Sequence, residues 1–166
     1  MTAAILRQHV VAAEAIARGD LLFALSSGDP APAEDDRLWL LPDGDSSAAL
    51  TTAWQREAEL MAADAPGVRC LCIVHGVHPL DEDALGRIAG MHVWSDDYLT
   101  RRMAAGEQLL ALIVRAWAAP QPSPPTGNAL ELPAADDLLP ALTDSAFELL
   151  VERLEQALRG PAAVRA

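Results

Sequence analysis

The stretch that most constrains this chain runs from Val68 to Asp97, VRCLCIVHGVHPLDEDALGRIAGMHVWSDD. Its first seven residues are apolar at every position but Arg69. Such a run is too short for a helix and too continuous for a strand with one wet face, so it reads as a strand buried on both sides. A turn follows, then a short helix from about Asp81 to Ala89 ending on Gly90, then a second apolar run from Met91 to Trp94. Strand, helix and strand in about thirty residues make one βαβ unit. The expected fold class is therefore α/β: a three-layer, Rossmann-like sandwich with a mostly parallel sheet of about four strands, helices on both faces and a helical C-terminal arm.

The flanking segments are assigned around that unit. Thr2 to Arg18 reads as a helix with Leu6, Val10, Ala13 and Ala17 on one face and Gly19 as a left-handed cap. Leu21 to Leu25 and Arg37 to Leu41 read as strands, separated by the polar loop SSGDPAPAEDD. A helix capped by Asp45, Ser46 or Ser47 extends to about Ala63 and is closed by Pro66-Gly67. After the central unit, Ser95-Asp96-Asp97 caps a long helix predicted to reach Ala118. Leu99, Met103, Gly106, Leu110, Ile113 and Trp117 are spaced four, three, four, three, four along it, a seam of coiled-coil spacing.

Three segments follow from this. Residues 1–118 form the α/β domain, residues 119–127 (APQPSPPTG) a proline-rich linker that cannot be helical throughout, and residues 128–166 a C-terminal arm. Ser145-x-x-Glu148 is a capping box for a last helix with Phe147, Leu150, Leu154 and Leu158 on its apolar stripe. The expected interaction surface joins Leu99, Met103, Gly106, Leu110, Ile113 and Trp117 to Phe147, Leu150 and Leu154. It is formed within one chain or between the two chains of a swapped homodimer.

Charge narrows the classes of function. The formal net charge is −12, and every basic residue is arginine, because the chain has no lysine. An acidic surface with scattered arginines argues against nucleic acid as a partner. The absence of lysine removes Schiff-base chemistry and a phosphate-loop lysine. Arg7, His9 and Glu14 interrupt the N-terminal stretch where a signal peptide needs an apolar core, and no window approaches a membrane span, so a cytoplasmic location is expected. Two cysteines without a Cys-x-x-Cys spacing make a disulfide scaffold or zinc ribbon improbable. No cofactor is expected.

Chemistry-bearing residues cluster at the expected strand ends: Asp43 and Asp45 after the second strand, His75 and His78 after the third, Asp96 and Asp97 after the fourth. Carboxylates and imidazoles meeting there suit a divalent metal, with His75, His78, Asp43 and Asp96 as candidate ligands. Their positions are equally explained by helix caps and turns. Cys70 and Cys72 lie two apart on a strand and share a face, about 6.6 Å apart along it. Buried cysteines act as small hydrophobes, and a reactive thiol needs exposure and a group that favours the thiolate.

GDLLFAL, AWQREAEL, GVRCLCIV and LDEDALGRIAG together resemble fragments of the DsrE-like sulfur-relay proteins, over residues 19 to 99. That resemblance implies a small α/β subunit with Cys72 as acceptor of persulfide sulfur. The order of elements also looks like the restriction-endonuclease-like fold of Mrr-type proteins, whose nuclease site needs a lysine that this chain lacks. The favoured reading is non-enzymatic: an acidic α/β protein that docks on another protein, as an accessory subunit or an immunity-type inhibitor of a basic partner. The alternatives are a sulfur carrier using Cys72 and a metal-dependent enzyme at the strand ends.

Overall fold

The computed structural model describes residues 4–27, 31–42, 49–51, 53–56, 68–123 and 132–160, with backbone alone at 121–123. In chain order the elements are β1 (Ala4–Gln8), α1 (Val10–Arg18), β2 (Phe23–Ser26), β3 (Arg37–Pro42), β4 (Val68–Pro79), α2 (Glu82–Arg87), α3 (Asp96–Ala104), β5 (Leu110–Ser123), β6 (Leu139–Pro140) and α4 (Asp144–Arg159). Residues 53–56 are helical as well. The six strands form one curled sheet in the order β1-β3-β4-β5-β2, with β6 also on β5. Among the described residues, only β1 and β3 run parallel, and the other strand pairings are antiparallel.

This overturns the expected Rossmann-like sandwich with a mostly parallel four-stranded sheet. The reason lies in β4 itself. Val68, Cys70, Cys72 and Val74 are buried, while Arg69, Leu71 and Ile73 are half-buried. An antiparallel strand whose second face is partly covered presents the same apolar run as a parallel one. β4 also does not stop at His75. A register shift between Val74 and Gly76 carries pairing with β5 on to Pro79 opposite Leu110, as a bulge permits. The second run, Met91 to Trp94, adds no sheet strand; Trp94 makes an isolated antiparallel bridge with Leu50. No βαβ unit is therefore built here: α2 and α3 lie in an excursion between two antiparallel neighbours.

The predicted helix from Asp97 to Ala118 is two elements. α3 stops at Ala104, Gly106 turns the chain at φ 92°, and β5 begins at Leu110. Leu109 and Ala111 to Val114 are all buried, and that continuous run with β-branched Ile113 and Val114 outweighs the heptad-like spacing. The supposed seam is dispersed, with Leu99 and Met103 on α3, Gly106 in the turn, and Leu110, Ile113 and Trp117 on β5. At the other end, the described part of the expected Thr2 to Arg18 helix, from Ala4 on, is a strand followed by a helix. His9 caps α1, its Nδ1 accepting from the Val11 amide at 3.1 Å, and Gly19 closes the helix at φ 82°. β5 runs through Ala119–Ser123 of the expected linker; residues 124–127, and the expected helix beyond residue 56, lie outside the described residues.

In-register rows build the core. Leu40 pairs with Cys70 and Cys70 with Ala118; Leu38 pairs with Cys72 and Cys72 with Ala116. α1 packs Val11, Ala12, Ala15 and Ile16 against this sheet, and all four are at most 1% exposed. The next row holds Trp39, Leu71 and Trp117. Arg115 lies over both Trp117 and Phe147 and pairs with Asp144, so the start of α4 is fixed on that side. Phe147, Val151, Leu154 and Leu158 of α4 join the common buried cluster, and Leu150 is half-buried. Among the described residues, no helix is long and apolar enough to cross a membrane.

Candidate functional site

The excursion between β4 and β5 builds an open groove of ≈ 460 Å³. Its walls are Leu50, Thr51 and Gln55 from one segment and Ala89, Gly90, His92, Trp94 to Asp97 and Arg101 from the other. A two-stranded clip holds the walls together. The Ser95 amide donates to the Ala49 carbonyl at 2.8 Å, and the Thr51 amide to the Val93 carbonyl at 2.9 Å. Gly90, at φ 84°, allows the sharp reversal that brings the chain from α2 back towards this clip. Ser95 then caps α3, its Oγ accepting from the Tyr98 amide at 3.2 Å. Asp96 and Asp97 occupy the first turn, where the helix dipole favours acids, and both are exposed on the groove.

His92 lines the groove and is only 4% exposed. Its Nδ1 accepts from the Trp94 amide at 3.2 Å, so the proton of the neutral ring sits on Nε2. Nε2 is buried and has no hydrogen-bond partner among the described residues. Phe23 packs edge-on to the ring at 6.0 Å between centroids, and Trp94 lies at 5.8 Å. Burial pushes the imidazole pKa below its ordinary 6.5, against the opposing field of Asp96. Arg101 turns back along its own helix, Nε donating to the Asp97 carbonyl at 3.4 Å.

Other residues singled out in the sequence lie elsewhere. His75 is exposed with its ring edge-on to Phe147 at 5.4 Å, and His78 Nε2 lies 3.8 Å from a Glu155 carboxylate oxygen. Both histidines thus face α4, whereas Asp96 lines the groove. Asp43 and Asp45 lie outside the described residues. Among the described residues no group of three or more His, Cys, Asp or Glu side chains is placed to hold a metal ion. Cys70 and Cys72 are 2% and 0% exposed, with their sulfurs 3.8 Å apart. Burial, then the neighbouring Cys70, raise the Cys72 pKa well above its ordinary value, so the thiol stays protonated and is a poor nucleophile. Sequence reasoning passed over His92, Thr51 and Gln55. A signal existed, since an imidazole inside the apolar run MHVW is an expensive residue to bury.

No protein-family model and no curated protein matches the chain. Among solved structures it is similar to ASCH from Zymomonas mobilis, at TM-score 0.48 and 16% identity over 89% of this chain and 92% of that one. Two point variants of the same protein are similar too, one at TM-score 0.48 and 16% identity over 92% and 98% of the respective chains. The other matches at TM-score 0.45 and 17% identity over 89% and 93%. These are ASCH proteins and not sulfur-relay proteins. The DsrE-like resemblance, with the parallel α/β subunit it implies, is overturned by the mixed, mostly antiparallel sheet.

Proposed function

We propose that this protein is a non-catalytic binding module that seats a basic segment of a protein partner in the groove lined by Leu50, Thr51, Gln55, His92, Asp96 and Asp97. The observation that carries the reading is the exposed pair Asp96 and Asp97 on the rim of an open groove, in a chain of net charge −12. Two carboxylates against one guanidinium leave the groove lining net negative, and such a field around a concave site raises the local concentration of opposite charge and speeds docking. The one arginine on the groove donates to a carbonyl of its own helix. Acidic first-turn residues also stabilise α3, so the same side chains hold the wall and present the charge.

The test is a titration of the isotopically labelled protein with an arginine-rich peptide, Gly-Arg-Gly-Arg-Gly, read by amide chemical shifts. Perturbations concentrated at residues 50–55 and 89–101 support the reading. The Asp96→Asn, Asp97→Asn double variant should weaken binding about fivefold, or roughly 1 kcal/mol, as expected for two partly exposed pairs. Shifts scattered over all acidic surfaces, or unchanged binding by the double variant, would remove the groove from the function.

A further inference from the structure

We infer that His92 is the specificity-determining hydrogen-bond donor of the groove, and that it takes a backbone carbonyl oxygen of the bound segment; this rests on the groove being the binding site. Two geometric facts lead there. The Trp94 amide occupies Nδ1 at 3.2 Å and so fixes the tautomer with the proton on Nε2. Nε2 is then a donor, it belongs to a ring 4% exposed on the groove lining, and no group among the described residues accepts from it. A buried donor left unpaired is costly, and folded proteins rarely tolerate one without a use for it.

The acceptor class follows from the surroundings. Phe23 and Trp94 hold the ring plane, and the hydroxyl of Ser95 accepts from the Tyr98 amide. The ionisable groups that share the groove with the ring are Asp96, Asp97 and Arg101. An anionic acceptor would enter beside two carboxylates and be repelled, whereas a carbonyl oxygen carries no net charge. A peptide offers one at every residue, next to side chains that the carboxylates attract. The neutral ring, kept so by burial, adds no positive charge to oppose a basic segment. Carboxylates thus select the charge of the segment, and His92 selects that it is a peptide.

His92→Asn tests this without removing the Trp94 contact, since the Asn Oδ1 takes the place of Nδ1 while nothing replaces Nε2. His92→Gln restores an N–H near the Nε2 position. With Gly-Arg-Gly-Arg-Gly as probe, His92→Asn should bind about tenfold more weakly and His92→Gln should recover most of that loss. Guanidinium ion, which has no carbonyl, should bind both variants as it binds the parent. In the parent protein the Nε2 proton resonance should move downfield on adding peptide, a readout that needs no variant. A parent-like affinity of His92→Asn, or an unmoved Nε2 proton, overturns the inference. If Asp96→Asn, Asp97→Asn still weakens binding in that case, the groove stands and only the donor role falls. A peptide that leaves residues 50–55 and 89–101 unperturbed overturns both.

Discussion

The side chain of Gln8 completes the backbone hydrogen bonding of Leu25. Its Oε1 accepts from the Leu25 amide at 3.0 Å, and its Nε2 donates to the Leu25 carbonyl at 2.6 Å. Gln8 is the last residue of β1 and Leu25 lies on β2, the two ends of the strand path β1-β3-β4-β5-β2. One carboxamide therefore stands in for a missing strand partner where the curled sheet comes round on itself. Both residues are 5% exposed, so no solvent can substitute for either bond.

Gln8→Leu should consequently cost about 2–4 kcal/mol, since it leaves a buried N–H and a buried C=O unpaired at once. Urea unfolding followed by circular dichroism measures it directly. Gln8→Glu keeps the acceptor for the Leu25 amide but loses the donor and buries a charge, so it should be at least as damaging at neutral pH. An unchanged unfolding midpoint for Gln8→Leu would mean that the junction contributes nothing.

His92 makes stability depend on pH. Its pKa is lowered in the folded protein from an ordinary 6.5, so between those two values the unfolded chain binds more protons than the folded one. The contribution is complete above the unfolded value and is lost progressively as pH falls through 6.5 towards the lowered folded pKa. His92→Gln should flatten the stability profile in that window. Asp96→Asn should steepen it, because the Asp96 field opposes the lowering. Thermal unfolding between pH 7.5 and about 5 compares the three proteins; parallel profiles would contradict the assignment.

Much of the local structure was legible, and the long-range pairing was not. Arg37 to Leu41, Asp81 to Ala89 and the last helix lie within a few residues of β3, α2 and α4, because apolar periodicity is a local property. The cap of α4 is Thr143, whose Oγ1 accepts from the Ala146 amide at 3.2 Å, and not the expected Ser145, which lies inside the helix. Strand direction is not local. β4 has the apolar run of a parallel strand, yet its neighbours β3 and β5 are both antiparallel to it. Leu110, Ile113 and Trp117 fitted a helical seam until Gly106, at φ 92°, broke it. Asp96 and Asp97 do not meet the expected histidines: His75 and His78 face α4, and the imidazole beside the acids is His92. The clip between Ala49–Thr51 and Val93–Ser95 links residues more than forty apart, which no periodicity announces.

Cys70 and Cys72 should both resist a thiol reagent in the native protein and react together on unfolding. Burial leaves neither sulfur accessible, and it holds Cys72 in the unreactive thiol form. Labelling with a maleimide at pH 8, followed by mass spectrometry with and without denaturant, gives the answer. Rapid modification of Cys72 in the native state would contradict its place in the row Leu38–Cys72–Ala116.

Arg87 ties the groove-building excursion to the last helix. Its Nε donates to the Ala157 carbonyl at 2.7 Å and its Nη2 to the Leu158 carbonyl at 2.9 Å. Carbonyls of a final helical turn have no partner within the helix, and a cation there also complements the dipole. Gly160, at φ 83°, brings the chain close past the guanidinium; a Cβ at that position would lie 3.3 Å from Arg87 Cζ. Arg87→Ala should cost about 1.5–3 kcal/mol, the range for hydrogen bonds to a charged group, and should free the last turn of α4. Arg87→Lys should fall between, because an ammonium keeps the charge but cannot span both carbonyls with a planar fork. Hydrogen exchange separates this from global weakening. Amides in the last turn of α4 should lose protection before those of Val11 to Ile16, whose helix packs elsewhere on the sheet. Equal loss in both helices would mean that Arg87 acts on the fold as a whole and not as a clamp on α4.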